Sequence, residues 1–389
     1  MAEDYKKVGD VNRQIHRTVE RELWARTAGR CQFEGCNRRV FLSPVTNEKM
    51  NNSEKAHIYA FSGKGPRAVT DLPDDIRDLN SIENLMLICA IDHKTIDDNK
   101  DQYPADLLLG WKAAHEDRIK IVSGIASNKK SHVLMYEGKV GEIESPLVYT
   151  ECAEAMFPDR YPAEEKPVKF GMTGEHEDCD PEYWIIEENN LRKVFERKVR
   201  PLIAEADPNH FSVFGFAPQP LLILLGALIT DKNPADVYQL HRDPRSCKWK
   251  ESQPTDQRIE SSQPTQITDS NKVALVFSVS GRIQKDLVNE LLGDDTDIWE
   301  ISFPEPLNTA LRTKEQLEDF KAKTREALAA IDAAYPTGTI VNIFPAMPIP
   351  CAIELGRVRM PKANHPWKIY DKNPKTKGFA ETITINPQK

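Results

Sequence analysis

Cys31-Gln-Phe-Glu-Gly-Cys36, Lys55-Ala-His57-Ile-Tyr-Ala-Phe-Ser62, Asn84 and Cys89-Ala-Ile-Asp92-His93-Lys-Thr-Ile-Asp97 fall in one stretch of the chain, and how its thiols and imidazoles are read decides the N-terminal fold. Cys31 and Cys36 lie between a helix expected to end near Ala28 and a strand expected at Arg39-Val-Phe-Leu42; the pair resembles the first knuckle of a structural zinc site. Cys89 supplies a third thiolate. A second knuckle usually reads Cys-x-x-Cys followed by His, whereas here Asp92 or His93 must complete the tetrahedron around a structural Zn2+. Lys55 to Ser62 reads as a strand presenting His57, and Ile91 onward as a helix start on which His93 and Asp97, four residues apart, share a face. Any one of these residues alone would be a buried small side chain or a satisfied core histidine. The joint spacing Cys-x4-Cys, Ala-His-Ile, Asn-x4-Cys-x3-His argues for a metal-dependent site instead.

Strand, strand and helix carrying His, Asn and His in that order resemble the HNH family of ββα-metal endonucleases, over roughly residues 25–115. The resemblance implies a DNA endonuclease with His57 as general base, Asn84 holding its loop and orientation, and His93 binding Mg2+ or another divalent cation. Phosphodiester hydrolysis asks for such a set: a base with a near-neutral pKa takes a proton from water, and a hard cation neutralises charge on the phosphorane and the departing oxygen. The family often has an Asp or His just before the base, where this chain has Ala56. Glu54, Asp92 or Asp97 is then the replacement, or His57 itself binds metal.

At 389 residues the chain should hold two or three domains. A formal charge of −8 argues against coating nucleic acid by bulk electrostatics. Residues 1–130 hold 21 basic and 20 acidic side chains, leaving 31 of the 52 basic and 40 of the 60 acidic ones to the remainder. DNA contact therefore belongs to the N-terminal part, through Arg13, Arg17, Arg21, Arg26, Arg30, Arg38 and Arg39, although a helix studded with Arg is more often a solvated face. Seven cysteines form no disulfide framework and suit a reducing cytoplasm. No apolar run reaches the ~18 residues a membrane span needs, and the start lacks a signal-peptide core. Pro220 to Ile229, the longest apolar stretch, reads as a buried helix.

Along the chain, Val11, Ile15, Val19, Leu23 and Trp24 give Asp10 to Arg26 one apolar helical face. Asn47 to Glu54 reads as a loop, as does Ser62-Gly-Lys-Gly-Pro-Arg67, whose glycines and cations are also suited to a phosphate. Tyr103 to His115 reads as a helix with proline in its first turn. A polar break places the boundary near Ile125, giving domains 1–125, a linker 126–148 and a domain 149–389. In the last, a strand, a small or proline-rich turn and a helix recur at Phe211 to Ile229, Val273 to Leu292 and Thr339 to Gly356. This is the unit of an open α/β sheet, whose ligands bind beyond the carboxyl ends of strands. Asp297 to Phe303 adds a strand, Leu311 to Ala334 a long helix, and Gln253 to Thr268 a loop between two such layers.

Phe216-Ala-Pro-Gln-Pro-Leu-Leu-Ile-Leu-Leu-Gly226, Tyr238-Gln-Leu-His-Arg-Asp243 leading to Trp249, and Ile343-Phe-Pro-Ala-Met-Pro348 with Ala352-Ile-Glu-Leu-Gly-Arg357 look like the SAVED domain, over roughly residues 149–384. The fold class implied is an α+β ββα-metal (HNH) nuclease domain followed by an α/β SAVED domain of two CARF-like Rossmannoid units. SAVED domains receive cyclic oligonucleotides, and an HNH nuclease joined to one resembles the effectors of CBASS antiphage defence. The resemblance implies a cyclic di- or trinucleotide messenger, a double-stranded DNA substrate, and a homodimer that assembles further on activation. Such a ligand needs stacking surfaces, cations and backbone donors at strand ends. Arg245, Lys248 and Trp249, Ser280 and Arg282, Lys362 and Tyr370, and an apolar wall of Phe344, Pro345 and Met347 are the candidates. Each has a structural reading too: Trp249 as core aromatic, Pro345 as strand end, Ser280-Gly-Arg282 as ordinary turn. Two rivals remain, a constitutive restriction-type nuclease reading modified DNA and a nucleotide sensor whose zinc module is not catalytic. The acidic C-terminal part counts against the first.

Overall fold

The computed structural model describes residues 14–60, 62, 65–172, 174, 176–205, 207–254, 256–373, 375 and 378–387. They form two compact units that divide after Ile125.

In the first unit, helix α1 (Arg17–Thr27) begins after His16, whose Nδ1 accepts from the Thr18 N–H at 3.3 Å. The earlier part of the expected helix, with Val11 and Arg13, lies outside the described residues. Left-handed Ala28 (φ 50°) and Gly29 (φ 63°) end α1 and turn the chain toward Cys31. The expected strand at Arg39 to Leu42 is reduced to isolated bridges, Arg30 to Arg39 and Leu42 to Lys49. Left-handed turns at Asn37 and Asn47 leave it no room to extend. Strands β1 (Ser53–His57) and β2 (Leu85–Cys89) pair antiparallel, with His57 opposite Leu85 and Ser53 opposite Cys89. Every residue of β2 is buried, and α2 (Ala90–Asp98) follows it directly. Pro104 caps α3 (Ala105–Ser123), one position earlier than expected, and α3 runs well past His115. Leu23, Ile58, Leu85, Leu87, Ile96 and Leu108 make the core.

The second unit corrects the proposed linker. Within residues 126–148, Lys130–Glu137 is a buried strand that pairs in parallel with Phe211–Phe216 on one side and with Tyr161–Pro162 and Val168–Gly171 on the other. Ala235–Val237 completes this five-stranded parallel sheet. Its His132-Val-Leu-Met-Tyr136 core is visible as an apolar run, but lysines and glycine around it mask its place in a sheet.

A second, six-stranded sheet runs in the order Glu260–Ser262, Asp297–Ser302, Val273–Ser278, Val341–Ala346, Trp367–Lys372, Phe379–Ile385. Its four inner strands are parallel and its two edges antiparallel. Glu260–Ser262 falls in the segment expected to be a loop; its exposed polar residues give an edge strand no apolar period.

Between the sheets, helices Gln219–Ile229 and Ile349–Val358 pack tightly against each other. A Cβ on Gly226 would stand 1.9 Å from the Ile353 carbonyl oxygen, and one on Gly356 would stand 1.9 Å from that of Ile223. This reciprocity has a sequence counterpart: Pro218, Pro220, Ile223, Leu225 and Gly226 recur as Pro348, Pro350, Ile353, Leu355 and Gly356, each 130 positions later. Nearly all of Gln219–Ile229 is buried, which accounts for the long apolar stretch. No helix among the described residues is long and apolar enough to cross a membrane.

Candidate functional site

Two clusters hold chemistry, one in each unit. In the first, the left-handed exit from α1 delivers Cys31, a turn with Gly35 at φ 78° delivers Cys36, and the end of β2 delivers Cys89 as the N-cap of α2. Asp92 then falls in the first turn of α2. The three sulfurs and an Asp92 carboxylate oxygen all lie within 4.8 Å of one another. Asp92 Oδ2 stands 3.1 Å from Cys31 Sγ and 3.0 Å from Cys89 Sγ. Tetrahedral zinc with Zn–S of ~2.3 Å and Zn–O of ~2.1 Å separates its ligands by roughly 3.5–3.8 Å, so the donor set and spacing fit with small adjustment. Burial pushes the Cys31 thiol up and Cys36 to about 11, so both favour the protonated form at neutral pH unless a cation compensates. Burial opposes ionisation of Asp92 too, but the Cys36, Cys89 and Cys31 thiols and the charge of Arg38 outweigh it and hold its carboxyl below the ordinary value.

Of the two candidates for the fourth position, Asp92 is the one in the cluster. His93, one residue further round α2, is directed along the helix instead, its Nε2 3.4 Å from Asp97 Oδ2.

His57 lies at the end of β1 with Nε2 3.0 Å from Asn80 Oδ1. An amide oxygen only accepts, so a neutral ring bonded to it carries its hydrogen on Nε2. Asn84 is fully buried: its Oδ1 accepts from the Tyr59 N–H at 2.8 Å, and its Nδ2 donates to the Tyr59 and Leu79 carbonyls at 3.0 and 2.9 Å. It thus ties the chain just past His57 to the loop that carries Asn80.

Arg67 joins the two histidines' neighbourhoods. Its guanidinium donates to the carbonyls of Ile58 (2.8 Å) and Ile96 (2.9 Å) and to Asp97 Oδ1 (3.0 Å). Expected in a phosphate-suited loop, its side chain is instead buried in the fold, while Gly63 and Lys64 of that loop lie outside the described residues. Ala56 is buried because alternate residues of β1 face opposite sides, so the position before His57 points into the core. Asp97 is the carboxylate that meets His93. Two of the expected DNA-facing arginines are engaged within the unit: Arg26 pairs with Glu22 and Glu116, and Arg30 donates to the Asn37 carbonyl.

In the second unit a cavity of about 590 Å³ opens at the carboxyl ends of the strands Phe211–Phe216, Val273–Ser278 and Val341–Ala346, within the usual size of a ligand site. Phe216, Gln219, Ser280 and Met347 line it from the turns after those strands. Gln219 also fixes the floor, its Oε1 accepting from the Met347 N–H at 3.1 Å. A small hairpin in which His241 pairs with Ser246 and Arg242 with Arg245 forms one side. Four cations converge there: Arg242, Arg245, Lys250 and Arg312. Arg245 is shared with Glu151 (3.2 Å) and Arg312 with Asp256 (3.2 Å). Gln239 and His241 line the same cavity and are each more than nine-tenths buried. Gln239 Oε1 and His241 Nε2 have no hydrogen-bond partner among the described residues. Burial, then the charges of Lys250 and Arg312, push His241 down to about 4 and keep it neutral.

Of the residues expected in a nucleotide pocket, Arg245, Ser280 and Met347 lie on this wall. The others do not. Phe344 is fully buried, stacked on Tyr370 with ring centroids 4.7 Å apart and edge-on to Phe379, and Tyr370 donates to Asn342 Oδ1 at 3.1 Å. Strand alternation sends Phe344 to the far face of the sheet. Pro345 sits inside the ladder opposite Phe277. Trp249 packs between two parts of the core and meets His241 edge to face. Arg282 turns toward the Pro304 carbonyl (2.9 Å) and Glu300, while Lys248 and Lys362 are exposed off the cavity wall. Sequence reasoning missed Gln239, His241, Arg242, Lys250 and Arg312 as cavity-lining groups. Tyr238 to Asp243 stands out as a motif, but only the fold shows that Gln239 to Asp243 line a cavity.

Ser131, His210 and Asp236 form a line that has the look of a catalytic relay, with Ser131 Oγ hydrogen-bonded to His210 Nδ1 at 2.9 Å and His210 Nε2 in an ion-pair contact 3.5 Å from Asp236 Oδ2. It is a structural network. Ser131 is fully buried, Asp236 is held by Arg160 (3.1 Å) and Lys314 (3.0 Å), and the group sits at the amino ends of its strands, away from the cavity.

Comparison with known proteins bears on the second unit. Residues 191–385, half the chain, match the family model described as SMODS-associated and fused to various effectors sensor domain, SAVED. No curated protein matches. Among solved structures, the chain is similar to the Acinetobacter baumannii Cap4 SAVED/CARF-domain containing receptor with the cyclic trinucleotide 3'3'3'-cAAA, at a TM-score of 0.42 and 11% identity over 76% of this chain and 62% of that one. It is also similar to the Moraxella osloensis Cap4 SAVED/CARF-domain containing receptor, at 0.39 and 9% over 76% and 60%. The chain thus spans about three-fifths of the length of these receptors.

Proposed function

The chain belongs to the SAVED family of sensor domains, and from that premise we propose that it is a cyclic-oligonucleotide receptor whose N-terminal unit is a DNA endonuclease, the arrangement of a CBASS antiphage effector. The observation that carries the receptor reading is the cavity at the strand ends, where four cations surround a space of about 590 Å³ in a unit whose net charge is acidic. Phosphodiesters meet charge-assisted donors there, and the apolar turns offer a surface for bases. The ligand is a cyclic di- or trinucleotide; the Acinetobacter receptor is named with a cyclic trinucleotide.

In the nuclease reading, His57 takes a proton from the attacking water while Asn80 holds its ring and Asn84 holds the loop. His93 Nε2 and Asp97 Oδ2 would hold Mg2+ or another divalent cation, which when bound neutralises charge building on the phosphate and the leaving oxygen. Arg67 keeps Asp97 facing His93. Zn2+ on Cys31, Cys36, Cys89 and Asp92 would staple the knuckle to β2 and α2. The messenger acts by favouring one assembly of a homodimer over another, a shift that needs several kcal/mol of differential affinity.

Incubating the protein with plasmid DNA, with and without divalent cation and each of a panel of cyclic di- and trinucleotides, tests this directly. Cutting should need both additions, and His57→Ala should lower it at least about 100-fold while ligand binding survives. Ligand-independent cutting would favour a constitutive nuclease, and binding without any cutting a sensor with a non-catalytic zinc module.

A further inference from the structure

Two residues of the cavity wall each carry a buried polar atom without a partner, and they differ in kind from the cations beside them. Gln239 Nε2 donates to the Leu240 carbonyl at 3.2 Å, and turning the amide over would set its oxygen against that carbonyl, so Oε1 is the unpartnered atom. A fixed acceptor repels a phosphate oxygen and calls for an N–H. Two positions along, His241 lines the same cavity with Nε2 unpartnered, within the field of Lys250 and Arg312 and edge-on to Trp249. An imidazole in its neutral form gives or takes one hydrogen bond there but brings no charge for an anion. Buried polar groups are almost always partnered, and two on one wall of one cavity mark where a ligand supplies what the protein does not.

We propose that Gln239 and His241 are the base-reading pair of this pocket: they take the edge of a nucleobase that presents an N–H donor beside a ring or carbonyl acceptor, while Arg242, Lys250 and their neighbours take the phosphates. This rests on the cyclic-oligonucleotide reading and adds to it a division of labour within the cavity. Gln239 Oε1 accepts from the base N–H, and His241 Nε2 meets the adjacent acceptor. Specificity at one base position then comes from these two side chains, because a wrong edge leaves them buried and unsatisfied.

The test is titration calorimetry of the full-length protein with cyclic di- and trinucleotides of adenine, guanine and uracil. The wild type should prefer one base by about tenfold or more, and Gln239→Leu and His241→Phe should each erase most of that preference at an unchanged melting temperature. Gln239→Met and His241→Asn, close in size, serve if the first pair folds poorly. Affinity that falls equally for every base, or does not fall, would overturn the assignment while leaving the receptor intact. A wild type that binds no member of the panel would overturn the receptor reading itself.

Discussion

Two stretches of the second unit, Phe211 to Tyr238 and Val341 to Tyr370, are the same design built twice. Each runs from a buried parallel strand through Pro-x-Pro into a helix with Leu-Gly near its end. Each stacks a strand phenylalanine on a tyrosine, Phe214 on Tyr238 at 4.4 Å and Phe344 on Tyr370 at 4.7 Å. Beyond the two tyrosines the stretches part. After Tyr238 the chain turns into the hairpin carrying His241, Arg242 and Arg245, which walls the cavity; Tyr370 lies in an inner strand that pairs with the edge strand Phe379–Ile385. The repeated part makes the fold and the floor of the cavity, and the unrepeated hairpin brings His241, Arg242 and Arg245 to its wall.

That division can be broken at several strengths. The largest effect should come from the glycine contact. Gly226→Val and Gly356→Val each drive a side chain into the opposite helix backbone, and each should cost about 3 kcal/mol or more, lowering the melting temperature by roughly 6–12 °C. Differential scanning calorimetry should show similar losses for the two; one tolerated and one not would mean that the repeats are not equivalent. Next come the stacked rings. Phe214→Leu and Phe344→Leu should each cost about 1–2 kcal/mol in urea unfolding, and if Phe344→Leu removed ligand binding without touching stability, its place in the core would be refuted. Tyr370→Phe, which deletes the bond to Asn342, should cost only about 0.5–1.5 kcal/mol.

The smallest effect concerns pH. His241 sits at about 4 when folded and near 6.5 unfolded, so between those values the unfolded chain binds a proton that the folded one refuses. Stability is therefore highest above pH 6.5 and falls as the pH drops toward 4, with His210, also near 4, adding to the slope. Melting curves from pH 7 to 5 should fall less steeply for His241→Asn than for the wild type.

The sequence carried much of the architecture. Apolar strands and the proline turns announced an α/β unit, and the Cys spacing pointed to Cys31, Cys36 and Cys89 together, while the choice between Asp92 and His93 was open until the fold placed Asp92 beside them. It was silent where identity depends on direction. Phe344 and Tyr370 look as ready for a base as any aromatic, and only strand alternation sends them to the far face. Lys130–Glu137 was hidden by the polar residues flanking it, and Asn80 and Arg67 act through bonds to distant groups that no local pattern records. Gln239 and His241 were legible as letters of a motif but not as a buried, unpartnered pair.

The central claim is that the hairpin, not the repeated core, holds the messenger. Titration of the cyclic-oligonucleotide panel into Arg242→Glu/Lys250→Glu and, in parallel, Arg282→Glu/Lys362→Glu tests it most directly. We expect the first double variant to bind at least about tenfold more weakly than the wild type, and the second to bind as the wild type does. The reverse pattern, or equal losses in both, would contradict the account.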